Sequence, residues 1–333
     1  MADKTGVLLV GFGGPRSLDE VAPMLERILG SMPPEPVIAS AKEKYQIIGG
    51  KSPVVEITQN IATELAAACA QDEACADIAA VEVGMCYSEP SITEGLTKLV
   101  DAGCTRVVYL ATTAFETCAA WDAPYVKTVE AAAELGITGV IKAPVFGTSS
   151  VYLRAHVDYI QKESFQQMQK VFGESTHVPG AEIYTKPIYL IMVAHSLNEE
   201  DPCENALRFE QQMLTSGSII LSSLHTHVET GVFAYVSAGK RGGKWLGPTL
   251  IEELEEVKKL EGVVTIVCPL GFATDHMEVL YDIDIEAREA ADKLELEWHR
   301  TPTLATLEAI NPALIEAMAG SVKKALAAAK ADS

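Results

Sequence analysis

The chain has 333 residues, 48% of them hydrophobic, and a formal net charge of −20. It is long enough for two ordinary domains and too apolar to be a disordered chain. So acidic a surface lacks the basic face that a nucleic-acid partner needs, and it favours the approach of a cation instead.

The amino terminus, Met1-Ala-Asp-Lys-Thr, runs directly into a first predicted strand at 6–10 and does not have the form of a signal peptide. No apolar run nears the length that spans a bilayer. Gly11-Phe-Gly-Gly-Pro15 follows. It is a partial match to a phosphate-binding turn, but Arg16 stands where a third glycine is needed and Pro15 interrupts the turn. The better reading is a tight turn that lets a flat ligand approach the backbone. Lys44-Tyr-Gln-Ile-Ile-Gly-Gly-Lys-Ser-Pro53 then precedes a helix from about Val54. Ser52 can cap that helix or bind an anion, and Lys44, Tyr45 and Lys51 suit a ligand carrying propionates; the plainer reading is a charged loop.

Further strands are predicted at 78–83, 106–111 and 139–143. The polar stretch 161–187, with Gly173, Pro179 and Gly180, is expected to carry the crossing to a second set of strands at 188–194, 232–236, 263–268 and 294–300. Continuous apolar runs suit strands covered on both faces. Their alternation with helices implies parallel sheets joined by right-handed crossovers. The openings at Val7 and Ile188 look alike, so the chain divides into two similar doubly wound α/β domains, 1–165 and 180–310, with an alanine-rich helix at 311–330 packing back on the first. Such domains bind ligands in a cleft at the carboxyl ends of their strands.

His195 closes the strand at 188–194. A histidine there is either a core residue or a cleft residue able to take a proton or ligate a metal. Asn198-Glu-Glu-Asp201 would favour its charged form if the carboxylates lie close. The pair His225 and His227 is read as structural. After the strand at 263–268, Pro269 and Gly271 break the chain, and Thr274 or Asp275 is expected to cap a helix. Glu278, Asp282 and Glu286 recur on it every four residues, which puts them on one face. That row is a path for a cation or for protons, or simply a solvated face.

The seven cysteines are scattered and contain no Cys-x-x-Cys pair, the usage of a reduced cytoplasmic protein with thiols serving as small buried hydrophobes. None lies after Cys268, so no iron–sulfur cluster is expected at the carboxyl end. Neither a Gly-x-Ser-x-Gly elbow nor a His-Glu-x-x-His zinc signature is present.

At Gly6-Val-Leu-Leu-Val-Gly-Phe-Gly-Gly-Pro15, Lys44-Tyr45 with Gly49-Gly-Lys-Ser-Pro53, Ala194-His-Ser-Leu197, Trp245-Leu-Gly-Pro248 and Gly271-Phe-Ala-Thr-Asp-His-Met-Glu-Val-Leu-Tyr281 the chain resembles the ferrochelatases, over nearly its whole length. The resemblance implies two Rossmann-like domains whose parallel sheets face a central cleft. It implies a lyase of haem biosynthesis that inserts ferrous iron into a porphyrin, iron being a substrate and no cofactor being permanently held. By resemblance His195 and Glu278 are the catalytic pair, facing each other across the porphyrin. Asp282 and Glu286 join them as metal ligands, and Asp275 relays cations or protons. Phe12, Lys44, Tyr45, Ser52, Tyr125, Ser237 and Trp245 line the porphyrin pocket.

By the same resemblance, Phe12 stands where many Gram-positive relatives carry a tyrosine, Cys86 where many relatives have an arginine or lysine, and Lys44 where some have an arginine. Thr112-Thr-Ala-Phe-Glu116 stands where other branches have a proline-containing segment and looks more like actinobacterial members. These departures leave protoporphyrin IX and coproporphyrin III both open. The expected partners are the porphyrin and ferrous iron, with the lip Met32-Pro-Pro34 as the candidate for transient contact with a membrane or a haem-pathway enzyme. The location is cytoplasmic or peripheral to a membrane, and the oligomeric state is not specified. The alternatives are a cobalt or nickel chelatase of another tetrapyrrole, a non-catalytic haem or metal binder, and a two-domain solute-binding protein.

Overall fold

The computed structural model describes residues 4–172, 186–203, 205–226, 228–239 and 243–331. Two four-stranded sheets are seen, all of whose strand pairs are parallel. The first contains β1 (Lys4–Gly11), β2 (Ile78–Met85), β3 (Cys104–Ala111) and β4 (Gly139–Lys142), in the order β2-β1-β3-β4. The second contains β5 (Ile188–His195), β6 (Val228–Val236), β7 (Val264–Cys268) and β8 (Trp298–Arg300), in the order β6-β5-β7-β8. The two orders are the same, so the halves repeat one topology. The order reverses between β1 and β3, and again between β5 and β7. A crevice therefore opens at the carboxyl ends of those strands.

The apolar runs are long because both faces of each sheet are covered. In β1, Val7 and Leu9 face a large inner core, while Leu8 and Val10 face an outer one, the two-residue alternation of a strand. In β5, Leu190 and Met192 join the same inner core and Ile191 and Val193 a separate outer one. The inner core thus runs unbroken between the two halves.

Helices in the first half are α1 (Val21–Leu29), α2 (Glu35–Ile47), α3 (Val54–Ala70), α4 (Ile92–Asp101), α5 (Ala123–Glu134) and α6 (Ser150–Phe172). The second half has α7 (Ala206–Ser223), α8 (Leu250–Val257) and α9 (Arg288–Lys293), and α10 (Pro312–Ala331) ends the description. α10 lies on α3 and α6 of the first half. There Lys323 pairs with Asp72 at 2.8 Å and the Asn311 amide donates to the Tyr159 hydroxyl at 3.0 Å.

Three expectations need correcting. The polar stretch expected from 161 onward begins as helix, because α6 continues to Phe172; Gly173, Pro179 and Gly180 lie outside the described residues. The last strand is Trp298–Arg300 only, since Glu295 turns the chain at φ 56° before it. The thiols are not all solitary: Cys118 and Cys203 are joined as a disulfide, with 5.7 Å between their Cα atoms. Cys69, Cys75, Cys104 and Cys268 are free and buried, and Cys86 is free and half-buried. None of the helices among the described residues is long and apolar enough to cross a membrane.

Candidate active site

The turn after β1 requires its glycines. Gly13 has φ 93°, and a Cβ there would stand 2.4 Å from the Ser88 hydroxyl oxygen. Phe12 is thereby held outward, 40% exposed, with its ring 4.6 Å from that of Tyr87. It offers an apolar aromatic shelf at the end of the first sheet.

His195 occupies the equivalent place at the end of β5. Its Nδ1 lies 2.5 Å from the Ser196 carbonyl oxygen. A carbonyl only accepts, so Nδ1 carries a proton and Nε2 is the ring nitrogen turned to the crevice. That Nε2 is 3.5 Å from Oε1 of Glu278. The two groups are thus seen side by side, where the resemblance had implied a flat ring between them. A ring between them would need about 3.5 Å on each of its faces. They stand together and address one side of the crevice.

Glu278 begins a helix whose hydrogen bonds skip five residues, as in Arg288 N–H to Ile283 O. The wide coil covers Glu278–Ala287 and continues into α9. Turns of this kind occur frequently at functional sites. The first half has a one-turn counterpart, Cys118–Asp122, in the same place after β3. Thr274 and Asp275 do not cap the helix. Thr274 bridges to Ala305, and Asp275 is buried with its carboxylate accepting from the Thr303 hydroxyl at 2.7 Å. Burial raises the Asp275 pKa, opposed by the Thr303 hydrogen bond. Its hydroxyl partner ties the expected relay residue to the 303–305 segment.

The acids do not form one ligand set. Among the described residues, no group of three or more His, Cys, Asp or Glu is placed to hold a metal ion. Asp282 is 7% exposed and both its oxygens are taken. Oδ1 accepts from Lys44 Nζ at 3.0 Å, and Oδ2 from the Ser237 hydroxyl. Lys44 is thus drawn to Asp282 and lies 4.5 Å above the Tyr281 ring, where sequence placed it in the porphyrin pocket. Glu286, one turn on, is exposed. The expected row of ligands is interrupted because an ammonium from the other half neutralises its middle member.

Tyr45 is buried beside Val21, Met24 and Met277. Burial pushes its phenol well above the usual range, and the Glu278 carboxylate adds to the shift. Ser52 is buried; its oxygen receives the Val54 N–H at 3.4 Å and so serves the start of α3. Ser237 is held at φ 60°, a backbone angle rare outside glycine. Trp245 packs its ring over Gly239, where a Cβ would stand 2.4 Å away. Tyr125 packs on the outer core of the first half, and its hydroxyl donates to Val140 O at 3.4 Å. Cys86 is a thiol that burial pushes up to about 11, partly offset by Lys127.

One residue was missed. His276 accepts the Glu278 backbone N–H on its Nδ1 at 3.2 Å and stacks edge-on against Phe272. Burial lowers its pKa, while the charges of Glu278 and Asp275 act the other way. A neutral imidazole there orients the start of the helix that carries Glu278. Its place two residues before the acid was the available signal. His225 lies exposed away from this cluster, and His227 lies outside the described residues.

The geometry combines a strand-end imidazole, a carboxylate against it and an aromatic shelf in one crevice. The chain is also similar in sequence to curated proteins. A Deinococcus radiodurans ferrochelatase is 27% identical, over 96% of this chain and 95% of its own. A Geobacter metallireducens ferrochelatase is 28% identical over 98% and 99%. The coproporphyrin III ferrochelatase of Listeria innocua is 27% identical over 91% and 93%. In fold, the chain is similar to SirB from Bacillus subtilis with Fe3+, at a TM-score of 0.55 and 14% identity over 98% of both chains. The ferrochelatase family model matches residues 4–326, the span that contains both sheets, the crevice and α10 nearly to its end. The chain therefore belongs to the ferrochelatase family, lyases that insert iron into a porphyrin.

Proposed function

We propose that ferrous iron enters a porphyrin in this crevice with loss of two protons, and that His195 and Glu278 carry the chemistry. The observation behind this reading is the 3.5 Å approach of His195 Nε2 to Glu278 Oε1. With Nδ1 held by the Ser196 carbonyl, Nε2 and the carboxylate are two basic atoms side by side. Such a pair suits a proton or a divalent cation and is poorly satisfied without one.

The reaction replaces two pyrrole protons by one Fe2+. Nε2 of His195 accepts one proton from the ring and the Glu278 carboxylate accepts the second, each passing its proton on to solvent water. Imidazole and carboxylate both suit ferrous iron as it sheds its hydration shell. A planar macrocycle hides its nitrogen lone pairs, so it must bend. Burial of its apolar faces against Phe12, Tyr87 and Trp245 can offset that distortion. His276 positions Glu278 through its backbone N–H.

The porphyrin is protoporphyrin IX or coproporphyrin III, and relatives named for the latter are among those similar to this chain. A cytoplasmic location, at most peripheral to a membrane, and contact of the Met32–Pro34 lip with a membrane or pathway enzyme complete the reading. Anaerobic insertion with each porphyrin, using ferrous iron and then cobalt or nickel, tests it. Iron insertion that falls sharply in His195→Ala supports the assignment. Near-normal insertion by that variant refutes the role of His195, and porphyrin binding without insertion of any metal favours a non-catalytic binder.

A further inference from the structure

Two loops meet on one flank of the crevice. The first leaves β3 and runs through Glu116 to Cys118; the second leaves β5 after His195 and reaches Cys203 and then α7. Around the meeting point the halves are held by non-covalent contacts. The Arg208 guanidinium pairs with the Glu116 carboxylate, with Nη2 to Oε1 at 2.9 Å. The Glu116 backbone N–H donates to the Gln212 side chain at 3.0 Å, and Phe115 meets Phe209 edge-on at 6.3 Å. Cys118 is buried in this contact, Cys203 is exposed beside it, and the two sulfurs are bonded across 85 residues of chain.

We propose that Cys118 and Cys203 are a reversible thiol–disulfide site that sets how far the two halves can part. The other contacts can yield when the crevice widens, but a covalent bond cannot. The pair joins the segment after β3 to the segment after β5, so it restrains the relative movement of the two strand ends that frame the crevice. Of the other thiols, Cys69 and Cys75 meet each other but both are buried, and this pair differs in that one member, Cys203, is exposed.

The co-reactant is a low-molecular-weight disulfide, RSSR. The exposed Cys203 thiolate attacks one of its sulfurs, forming a mixed disulfide and releasing RS⁻. Cys118 then attacks the Cys203 sulfur of that mixed disulfide, closing the protein disulfide and releasing a second RS⁻. Two cysteine thiols are oxidised, RSSR is reduced to two thiols, and the two cysteine protons are taken up by the released thiolates. Excess small thiol reverses both steps. Glu199, Glu200 and Asp201 precede Cys203, and the last accepts its backbone N–H at 2.9 Å. The thiolate is the attacking form, so exchange should quicken as pH rises, and an uncharged disulfide is the suitable probe beside these acidic side chains.

The test uses the full chain, reduced with dithiothreitol, freed of it, and equilibrated with hydroxyethyl disulfide at pH 8. Oxidised protein in denaturant should show five thiols and reduced protein seven, with a 118–203 linked peptide found by mass spectrometry. Seven thiols under both conditions, or a different pairing, overturns the site. Hydrogen exchange at 112–118 and 199–212 should slow several-fold on oxidation, and melting should rise by about 5 °C or more. Equal exchange in the two states overturns the restraint. Given the insertion reaction proposed above, steady-state turnover should also fall on oxidation while porphyrin affinity holds. The double variant Cys118→Ser/Cys203→Ser should be indifferent to the probe; a response to it as large as that of the unaltered chain overturns the coupling. Thiol counting and hydrogen exchange need no metal insertion, so loss of the proposed reaction leaves them decisive.

Discussion

Lys44 of α2 donates to Asp282 of the helix after β7 at 3.0 Å, across 238 positions of sequence. The contact ties the two halves beside the crevice, and it gives a buried carboxylate the counter-charge that burial demands. A buried anion deprived of its partner is costly, although Lys44 itself is about a third exposed, which tempers the loss. Lys44→Met should therefore lower stability by roughly 1–2 kcal/mol in denaturant unfolding. The freed Asp282 should also bind a divalent probe such as Co2+ more tightly, as read by titration of the unloaded protein. Unchanged stability and unchanged cobalt binding would mean that the pair contributes nothing.

Gly271 sits directly behind His195. Its N–H donates to Val193 O at 2.9 Å, and a Cβ there would lie 2.5 Å from the Ala194 Cβ and 2.8 Å from the Ala194 Cα. Backbone cannot yield as a side-chain tip can. Gly271→Ala is expected to push the chain after β7 away from β5 and to widen the His195–Glu278 approach. Overpacking of this kind costs about 1–3 kcal/mol. Insertion activity should fall more steeply than stability, because the reacting groups need their geometry. A variant with wild-type kcat and stability would show that the site tolerates the shift.

Glu278→Gln keeps the shape of the side chain and removes its charge and its basicity. Loss of a positioned proton acceptor lowers rates by about 10²–10⁴-fold. The expected result is a kcat reduced within that range, with porphyrin KM changed little, in anaerobic insertion assays. A kcat within twofold of the unaltered chain would remove Glu278 from the chemistry.

His156 supplies a pH dependence of stability. It is fully buried on α6 with Nδ1 against the Cys268 sulfur at 3.4 Å, and burial lowers its pKa to about 3. The unfolded chain holds an ordinary imidazole near 6.5, so between the two values it binds the extra proton. Stability from this residue is complete above about pH 6.5 and is lost as pH falls towards 3, with a slope of about 1.4 kcal/mol per pH unit. His156→Gln should flatten unfolding free energy against pH between 6 and 4 by that slope. Parallel curves for the two proteins would assign the acid sensitivity to carboxylates alone.

Much of the architecture is legible in the chain itself. Each predicted run contains a strand, though the last is one only at Trp298–Arg300, and the long runs of Val, Ile and Leu without polar alternation are stable as strands only when covered on both faces. The likeness between the openings at Val7 and Ile188 is matched by identical strand orders in the two sheets. The helix after Gly271 was less legible. Thr274 and Asp275 have the chemistry of caps, but both are engaged by the 303–305 segment, and local sequence does not contain that competitor. The helix consequently starts later and winds more widely than its four-residue acid spacing suggested.

What the sequence alone determined is the pair of parallel sheets and the placing of His195 at a strand's end, since both follow from side-chain pattern within one segment. Tertiary structure decided which partners that imidazole and those acids meet. It set Glu278 beside His195 on one side of the crevice, gave Asp282 to Lys44, and brought Cys118 to Cys203. Those pairings join segments distant in sequence. Their distances are set by how two sheets, α6 and α10 pack around a shared core, which no single stretch of residues encodes.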